Sequence, residues 1–416
     1  MYTGGIAYQF NRQRNIGVKV VKLDGLRGVA SLVVVFSHIF LWFIPSAHYG
    51  EPGPLGLGKY LFNAPVSFFY RGDFAVYLFF ILSGLVLTYS LQRNKHSLCA
   101  IRKAALKRYL RLGIPVAASV FICYLLMVLN TFHVPDVEPL ADLAKNYTFD
   151  ESFSSAAQDA LFGALLLGDS KYNYVLWTIN IEFLGSLAIF SLIALFGTRE
   201  RIYQGACLVV IVLLLASTRR LYFCIGLFFV GSMLATLKFP AEPGRGAKAA
   251  SMALLAIGLY LAGFHAHSAS YAWIEAATDA LSRLLDRETP WHMAIPALGA
   301  ALIIIGVLLS GKVLAVLESA ALRWIGRLSF SIYLLHSVIL AVCAQVAIAY
   351  WGLSYLSFAM AAAMTFVLTI GAAHMFYLKV DAPAVALSAR FADWVLLRSA
   401  QPASYGSCRL PAHRPL

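Results

Sequence analysis

Arg27 and His38 lie towards the two ends of the first long apolar stretch, within LDGLRGVASLVVVFSHIF. An ionisable group inside a membrane costs on the order of 2.5–3.5 kcal/mol, so its presence indicates function by default. The two residues are eleven apart, which is about 20° past three helical turns, so their side chains share one face about 16 Å apart. Imidazole can act as a general base and guanidinium can hold an anion. The alternative is a snorkelling arginine and a histidine that only bonds a neighbouring helix.

A second polar stripe follows in WTINIEFLGS, where Thr178 and Glu182 are four residues apart and come just after Trp177. Residues four apart lie on the same face of a helix. A buried carboxylate requires a partner. We therefore expect Glu182 to lie near the depth of His38, either orienting that histidine or forming a purely structural pair with an arginine or histidine.

A third stripe occurs in IGRLSFSIYLLHS, with Ser329, Tyr333 and His336 at i, i+4 and i+7. These positions also share one helix face. A single buried histidine is usually a satisfied core residue, but three helices with ionisable groups at similar depth favour one shared polar cavity. We expect this cavity to include Trp177, Thr178, Ser329, Tyr333 and His336, together with Ser83 from the segment LFFILSGLVL.

Basic residues precede the next apolar segment, in RKAALKRYLRLGIP. Arg108 and Arg111 fall on one helix face, with Lys107 beside them. Arginine matches phosphate oxygens in a bidentate way, so this pattern fits the rim of a phosphate-binding site. The alternative is the ordinary excess of basic residues on the cytoplasmic side of a membrane protein.

Familiar soluble-enzyme motifs are missing from the sequence: there is no P-loop, no GxGxxG, no HExxH and no GxSxG. His38, His336 and Glu182 are the ligand types that a metal could take, but nothing in their spacing demands one. We therefore expect no metal and no bound cofactor. The six cysteines show no metal-type pairing.

The composition indicates a membrane protein. Of 416 residues 60% are hydrophobic and only 13% are charged, about half the charged share of a soluble domain. The net charge of +13 is better explained by membrane topology than by nucleic acid, so no nucleic-acid partner is expected.

We predict an all-α polytopic protein with about ten transmembrane helices. The expected spans are 29–44, 74–91, 112–130, 174–196, 202–217, 221–237, 251–264, 295–310, 328–350 and 355–378, and the short apolar segment 156–167 is interpreted as interfacial or re-entrant. This arrangement leaves all but eight of the 33 basic residues on one side. The positive-inside rule then places both termini in the cytoplasm.

Residues 1–383 are expected to form one transmembrane domain, and 384–416 a cytoplasmic tail that is partly disordered. The first residues show no apolar core of a cleavable signal peptide. We find no internal repeat, whereas many transporters are built from inverted repeats.

The chain resembles the acyltransferase-3 family of bacterial integral-membrane O-acyltransferases. Six motifs carry the resemblance, in family order along about 350 residues: LDGLRG, FFILSGLVL, KRYLRLGIP, WTINIEF, IGRLSFSIYLLH and YLKVDAP. Two departures are visible. Tyr77 stands in span two where the family often has Asp, with Asp73 one turn earlier, and Asp381-Ala382-Pro383 replaces the usual Glu-x-Pro.

The resemblance implies a ten-helix bundle that uses cytoplasmic acyl-CoA, with acetyl-CoA as the first expectation. It implies that His38 is the catalytic histidine, that Arg27 is its partner, and that Arg108, Arg111 and Lys107 lie near the donor. Glu182 and His336 match further motif residues. Some members carry a C-terminal hydrolase-like domain, which we do not expect here.

We therefore expect an O-acyltransferase of the bacterial inner membrane that acts on a carbohydrate, such as a surface or exopolysaccharide unit, including lipid-linked ones. A transporter that uses the same buried residues as a substrate or proton relay is the alternative.

Overall fold

The computed structural model describes residues 3–51, 53, 55–93, 96–132, 145–240 and 242–399. The part of the chain that it describes is helical and contains no β-strand. The longer helices are α1 (Thr3–Phe43), α2 (Gly72–Arg93), α3 (Leu98–Val128), α4 (Trp177–Phe196), α5 (Glu200–Leu215), α6 (Arg220–Thr236), α7 (Arg245–Ala262), α8 (Ala272–Leu285), α9 (Trp291–Leu309), α10 (Ala320–Trp351), α11 (Tyr355–Phe376) and α12 (Ala382–Ser399).

Shorter helical pieces connect these elements. They are the α-helical turns Ser46–Tyr49, Gly58–Phe62 and Phe153–Gln158, the 3₁₀ turns Ser67–Phe69, Lys145–Tyr147, Tyr174–Leu176, Ala269–Tyr271 and Gly311–Glu318, and the π-helical segments Asp159–Leu167 and Tyr377–Asp381. The last of these joins α11 to α12 without a break, so the chain stays helical well beyond residue 378.

Within the described residues, seven helical stretches are long and apolar enough to cross a membrane. They begin at Val21, Gly72, Leu98, Tyr174, Trp291, Ala320 and Tyr355. Large apolar side chains such as Leu213, Val367 and Leu397 point outwards and are about two-thirds exposed or more, which suits a lipid-facing surface. A polytopic membrane protein is therefore confirmed at this coarser level.

The other three expected spans coincide with helices, but these are shorter or less apolar. The expected span 202–217 lies at α5, which has 16 residues, and 221–237 lies at α6, which has 17. The third, 251–264, falls in α7, which reaches 18 residues but is not apolar enough to count among the seven. The number ten and the side of the termini stay predictions.

The expected tail, residues 384–416, is described only as far as residue 399. Residues 382–399 form α12, which packs against α3, and an ion pair of 2.5 Å joins Lys103 to Asp393. The stretch 400–416, where disorder was expected, lies outside the described residues.

Within the described residues the interior consists of two large apolar clusters that meet along α1, and a small third cluster formed by Phe264, Tyr271 and Ile274. Leu23 to Val34 of α1 pack with α2, α6 and α9, whereas Val35 to Phe43 pack with α3, α10 and α11. Tyr333 of α10 contacts both clusters. The site described below lies at this junction.

Glycine allows the closest helix contacts. A Cβ at Gly84 of α2 would lie 1.9 Å from the Phe228 carbonyl oxygen of α6. A Cβ at Gly326 of α10 would lie 2.0 Å from the backbone carbonyl oxygen of Asp24 in α1. Neither position has room for a side chain. Gly84, next to the cavity residue Ser83, therefore permits a close approach of α2 and α6.

Candidate active site

A cavity of about 320 Å³ opens between α1, α2, α3, α4, α10 and the segment that joins α11 to α12. It is lined by eight of the twelve residues expected at the site, namely Arg27, Ser83, Arg108, Arg111, Thr178, Glu182, Ser329 and Tyr333. Side chains from five helices that are far apart in sequence thus meet around one space. Residues from all three polar stripes line this cavity, whereas Trp177 and His336, which were also expected there, do not.

Four arginines line this cavity, together with three carboxylates. The arginines are Arg27, Arg108, Arg111 and Arg327, and the carboxylates are Asp24, Glu182 and Asp381. The side chain of Arg111 is solvent-accessible, so it can meet an incoming anion. Such a set suits a ligand that carries several phosphate oxygens.

Arg108 is the most buried of the four arginines, with 5% exposure. Its guanidinium forms an ion pair with Glu182. Its Nε is buried without a hydrogen-bond partner among the described residues. Because an unsatisfied buried donor is costly, this atom is available to a bound acceptor oxygen.

Glu182 therefore does not orient His38. Its carboxylate pairs with Arg108, which corrects the hypothesis that it would stabilise the imidazolium of that histidine. The physical reason is that α4 turns this side chain towards α3, whose arginine is the stronger and permanent cation. The structural alternative of a carboxylate paired with an arginine gives the correct partner.

His38 instead faces His336. The centroids of the two rings lie 4.9 Å apart with an interplanar angle of 73°. The two helices run in the same direction, because the pair Arg27 and Ser329, joined by a hydrogen bond of 3.4 Å, lies earlier on both of them. The two histidines therefore lie at the same level of this helix pair.

Backbone hydrogen bonds set the tautomers of both rings. His38 Nδ1 lies 2.9 Å from the Val34 carbonyl oxygen, and His336 Nδ1 lies 2.8 Å from the Tyr333 carbonyl oxygen. A carbonyl can only accept, so each Nδ1 carries the proton and each Nε2 keeps its lone pair. His336 Nε2 is buried and has no partner among the described residues.

Tyr333 separates the histidine pair from the cavity. It lines the cavity, and its ring centroid lies 5.8 Å from that of His336. Its hydroxyl accepts a hydrogen bond of 2.7 Å from Thr178 and donates to the Val175 carbonyl. His38 and His336 are not among the residues that line the cavity, so the histidines lie one side chain beyond its wall.

Two further expected residues lie away from the cavity. The ring of Trp177 lies under the guanidinium of Arg220, 4.5 Å from its centroid, and Arg220 also lies 4.0 Å from Asp73. Lys107 is half-buried on α3. Neither Trp177 nor Lys107 lines the cavity. Arg220, the first residue of α6, therefore contacts both Trp177 and Asp73.

Sequence reasoning missed three charged residues of the cavity: Asp24, Arg327 and Asp381. All three belong to the motifs LDGLRG, IGRLSF and YLKVDAP. Asp24 precedes Arg27 by three residues and therefore shares its helix face. Asp381 ends the π-helical segment, where α-helical spacing no longer predicts the face on which a residue falls.

No metal centre is evident in the part of the chain that the structure describes, where no group of three or more His, Cys, Asp or Glu side chains is placed to hold an ion.

Most of the chain matches a known protein family. Residues 20–376 match the family model of acyltransferase 3, described as an acyltransferase domain. The chain belongs to the acyltransferase-3 family. The match begins shortly before Arg27 and ends with α11, so it includes the parts of α1, α2, α3, α4 and α10 that line the cavity but not Tyr377, Asp381 or Val385.

The curated proteins include a distant relative, the O-acetyltransferase PaAT-1 of Phomopsis amygdali. It is 27% identical over 261 residues, which are 55% of this chain and 51% of the relative. The chain thus spans about half the length of that relative. No solved structure gives a significant match.

Proposed function

We propose that the protein transfers an acyl group, acetyl in the first instance, from acyl-CoA to a hydroxyl of a carbohydrate acceptor in the bacterial inner membrane. The acceptor is a surface or exopolysaccharide unit or a similar glycan, including lipid-linked ones. The observation that carries the proposal is the arginine-lined cavity that ends at Tyr333, directly against the histidine pair. Family membership and the O-acetyltransferase relative support the same reaction.

In this proposal the arginines hold the donor. Arg27 and Arg111 contact its phosphates, and the unsatisfied Nε of Arg108 supplies a further buried donor. Charge-assisted bonds between guanidinium and phosphate are about twice as strong as neutral ones. The pantetheine arm then extends along the apolar part of the wall formed by Phe79 and Phe80.

The thioester reaches the histidines past Tyr333. Rotation of this tyrosine would join the cavity to the space beside His336, because its ring lies between the two. His38 Nε2 takes the proton of the acceptor hydroxyl, and the oxygen attacks the thioester carbonyl. The carbon–sulfur bond breaks, and the imidazolium returns its proton to the thiolate. An acyl-histidine intermediate is the variant route.

The experiment uses the purified protein in proteoliposomes with labelled acetyl-CoA. A transferase moves the label to a hydroxyl acceptor or to the protein itself and releases free CoA. A transporter, the alternative class, leaves acetyl-CoA or another unmodified substrate intact and accumulates it inside the vesicles. Accumulation without CoA release contradicts the proposal.

A further inference from the structure

A second cavity of about 590 Å³ lies on the other side of the histidine pair. It is formed by residues 145–174, which precede α4. Its described walls are Lys145, Asn146, Phe149, Ser155, Gln158, Asp159, Asp169, Ser170, Lys171 and Tyr174. None of these residues belongs to the site already described.

Asp159 is the most distinctive group in this cavity. Its side chain is 95% buried, at 5% exposure. Its Oδ2 accepts a hydrogen bond of 3.2 Å from the Tyr172 amide, whereas its Oδ1 is buried with no partner among the described residues. A buried carboxylate oxygen is costly to leave unsatisfied, so this atom indicates that a ligand donor belongs there.

The local backbone explains how the carboxylate is held in place. Asp159 begins the π-helical segment Asp159–Leu167, an irregularity that is frequent at functional sites. Asn180 of α4 donates to the Leu165 and Leu166 carbonyls of this segment, each at 3.0 Å. The segment is thus fixed against α4.

The remaining walls suit a molecule with many hydroxyl groups. Carboxylate, amide and hydroxyl side chains surround the space, and all of them can accept a hydrogen bond from a hydroxyl. Phe149 adds an apolar ring face, with Lys171 Nζ 4.7 Å from its centroid. A few convergent polar groups beside aromatic surface are typical of a specific small-molecule site.

Tyr174 lies next to both this cavity and His38. It lines the cavity, and its ring centroid lies 5.8 Å from that of His38. Asn173, immediately before it, donates a bond of 2.9 Å to the Leu334 carbonyl of α10 and accepts one of 3.0 Å from Ser337. The histidine pair therefore lies between two cavities, each separated from it by one tyrosine.

We propose that this second cavity is the acceptor site, where a carbohydrate binds through Asp159 and presents one hydroxyl to His38 past Tyr174. The inference rests on the proposed function and adds to it the place and face of acceptor binding. Donor and acceptor reach the histidine pair from two separate cavities, and the acyl group is transferred at the histidines. The bonds made and broken are those of the transfer described above.

The test uses proteoliposomes with [¹⁴C]acetyl-CoA and a panel of octyl glycosides of glucose, galactose, mannose and rhamnose as acceptor probes. For the best glycoside, KM is measured separately for glycoside and acetyl-CoA. Loss of a hydrogen bond to a charged group lowers affinity by about 10-fold or more. Asp159→Asn should therefore raise the glycoside KM at least 10-fold and leave the acetyl-CoA KM within about twofold.

The matched control is Glu151→Gln, which removes an exposed carboxylate of the same segment that does not line the cavity. It should leave both KM values unchanged. Phe149→Leu, which keeps the bulk but removes the aromatic face, should also raise only the glycoside KM. This second variant keeps the test decisive if Asp159→Asn does not fold.

Two results would overturn the inference while the proposed function stands. One is a wild-type enzyme that releases CoA from acetyl-CoA but acylates no glycoside. The other is a His38→Gln variant that loses transfer while Asp159→Asn and Phe149→Leu keep the wild-type glycoside KM. If His38→Gln transfers label as wild type does, the proposed function itself fails.

Discussion

The imidazole of His38 lies against that of His336, edge towards face, with 4.9 Å between the ring centroids. Both Nδ1 atoms are committed to backbone carbonyls of their own helices. Two Nε2 lone pairs are therefore left in a space enclosed by tyrosines on either side. In the proposed reaction this arrangement supplies a base that is positioned before any substrate arrives.

Replacement of His38 by glutamine should lower the rate of acyl transfer by about 10²- to 10⁴-fold, the usual contribution of a general base. The measurement is transfer of label from acetyl-CoA in proteoliposomes, with the amount of folded protein in the membrane checked by gel filtration. His267→Gln, at an exposed position paired with Glu275, is the control and should keep full activity. Near-wild-type transfer by His38→Gln would contradict the assignment.

Arg111→Ala should raise the KM for acyl-CoA by about 10- to 100-fold, because it removes a charge-assisted bond to a donor phosphate. Arg111→Lys should recover only part of the affinity, since an ammonium cannot make the bidentate contact. Arg102→Ala on the exposed side of the same helix is the matched control. Equal KM values for the Arg111 and Arg102 variants would remove Arg111 from the donor site.

Arg108→Leu should destabilise the protein by about 3–5 kcal/mol, because it leaves the Glu182 carboxylate without its buried partner. The double variant Arg108→Leu/Glu182→Leu should regain much of this loss, since an apolar pair replaces an ion pair with little penalty. Unfolding in detergent with increasing SDS measures both. Additive losses in the double variant would mean that the ion pair is not the reason.

Acidification should destabilise the protein through His48, which lies in the turn after α1. Burial and the nearby Arg71 guanidinium lower the pKa of His48 to about 3. The unfolded state binds a proton near pH 6.5 and the folded state does not, so stability is lost as the pH falls from about 6.5 towards 3. The apparent Tm at pH 5 should fall less, relative to pH 7, in His48→Gln than in wild type. Identical falls would show that other groups dominate.

The sequence by itself indicated the helical membrane architecture and eight of the residues that line the first cavity. Long hydrophobic stretches favour helices because a helix satisfies all of its backbone hydrogen bonds within one segment, without water. The 3.6-residue repeat is a local property, so it correctly grouped Arg27 with His38, Thr178 with Glu182, and Tyr333 with His336 on their respective helices. Costly ionisable side chains in apolar segments then marked the residues that the fold brings together.

Only the tertiary structure decided which side chains meet between helices. Helix rotation, tilt and axial register are set by packing, such as the close contacts at Gly84 and Gly326, and local periodicity does not encode them. Glu182 therefore faces Arg108 rather than His38. Asp381 joins the cavity through a π-helical segment, whose extra residue per turn changes the face on which later side chains fall. The position of the histidines between two cavities likewise depends on loops that carry no periodic signal.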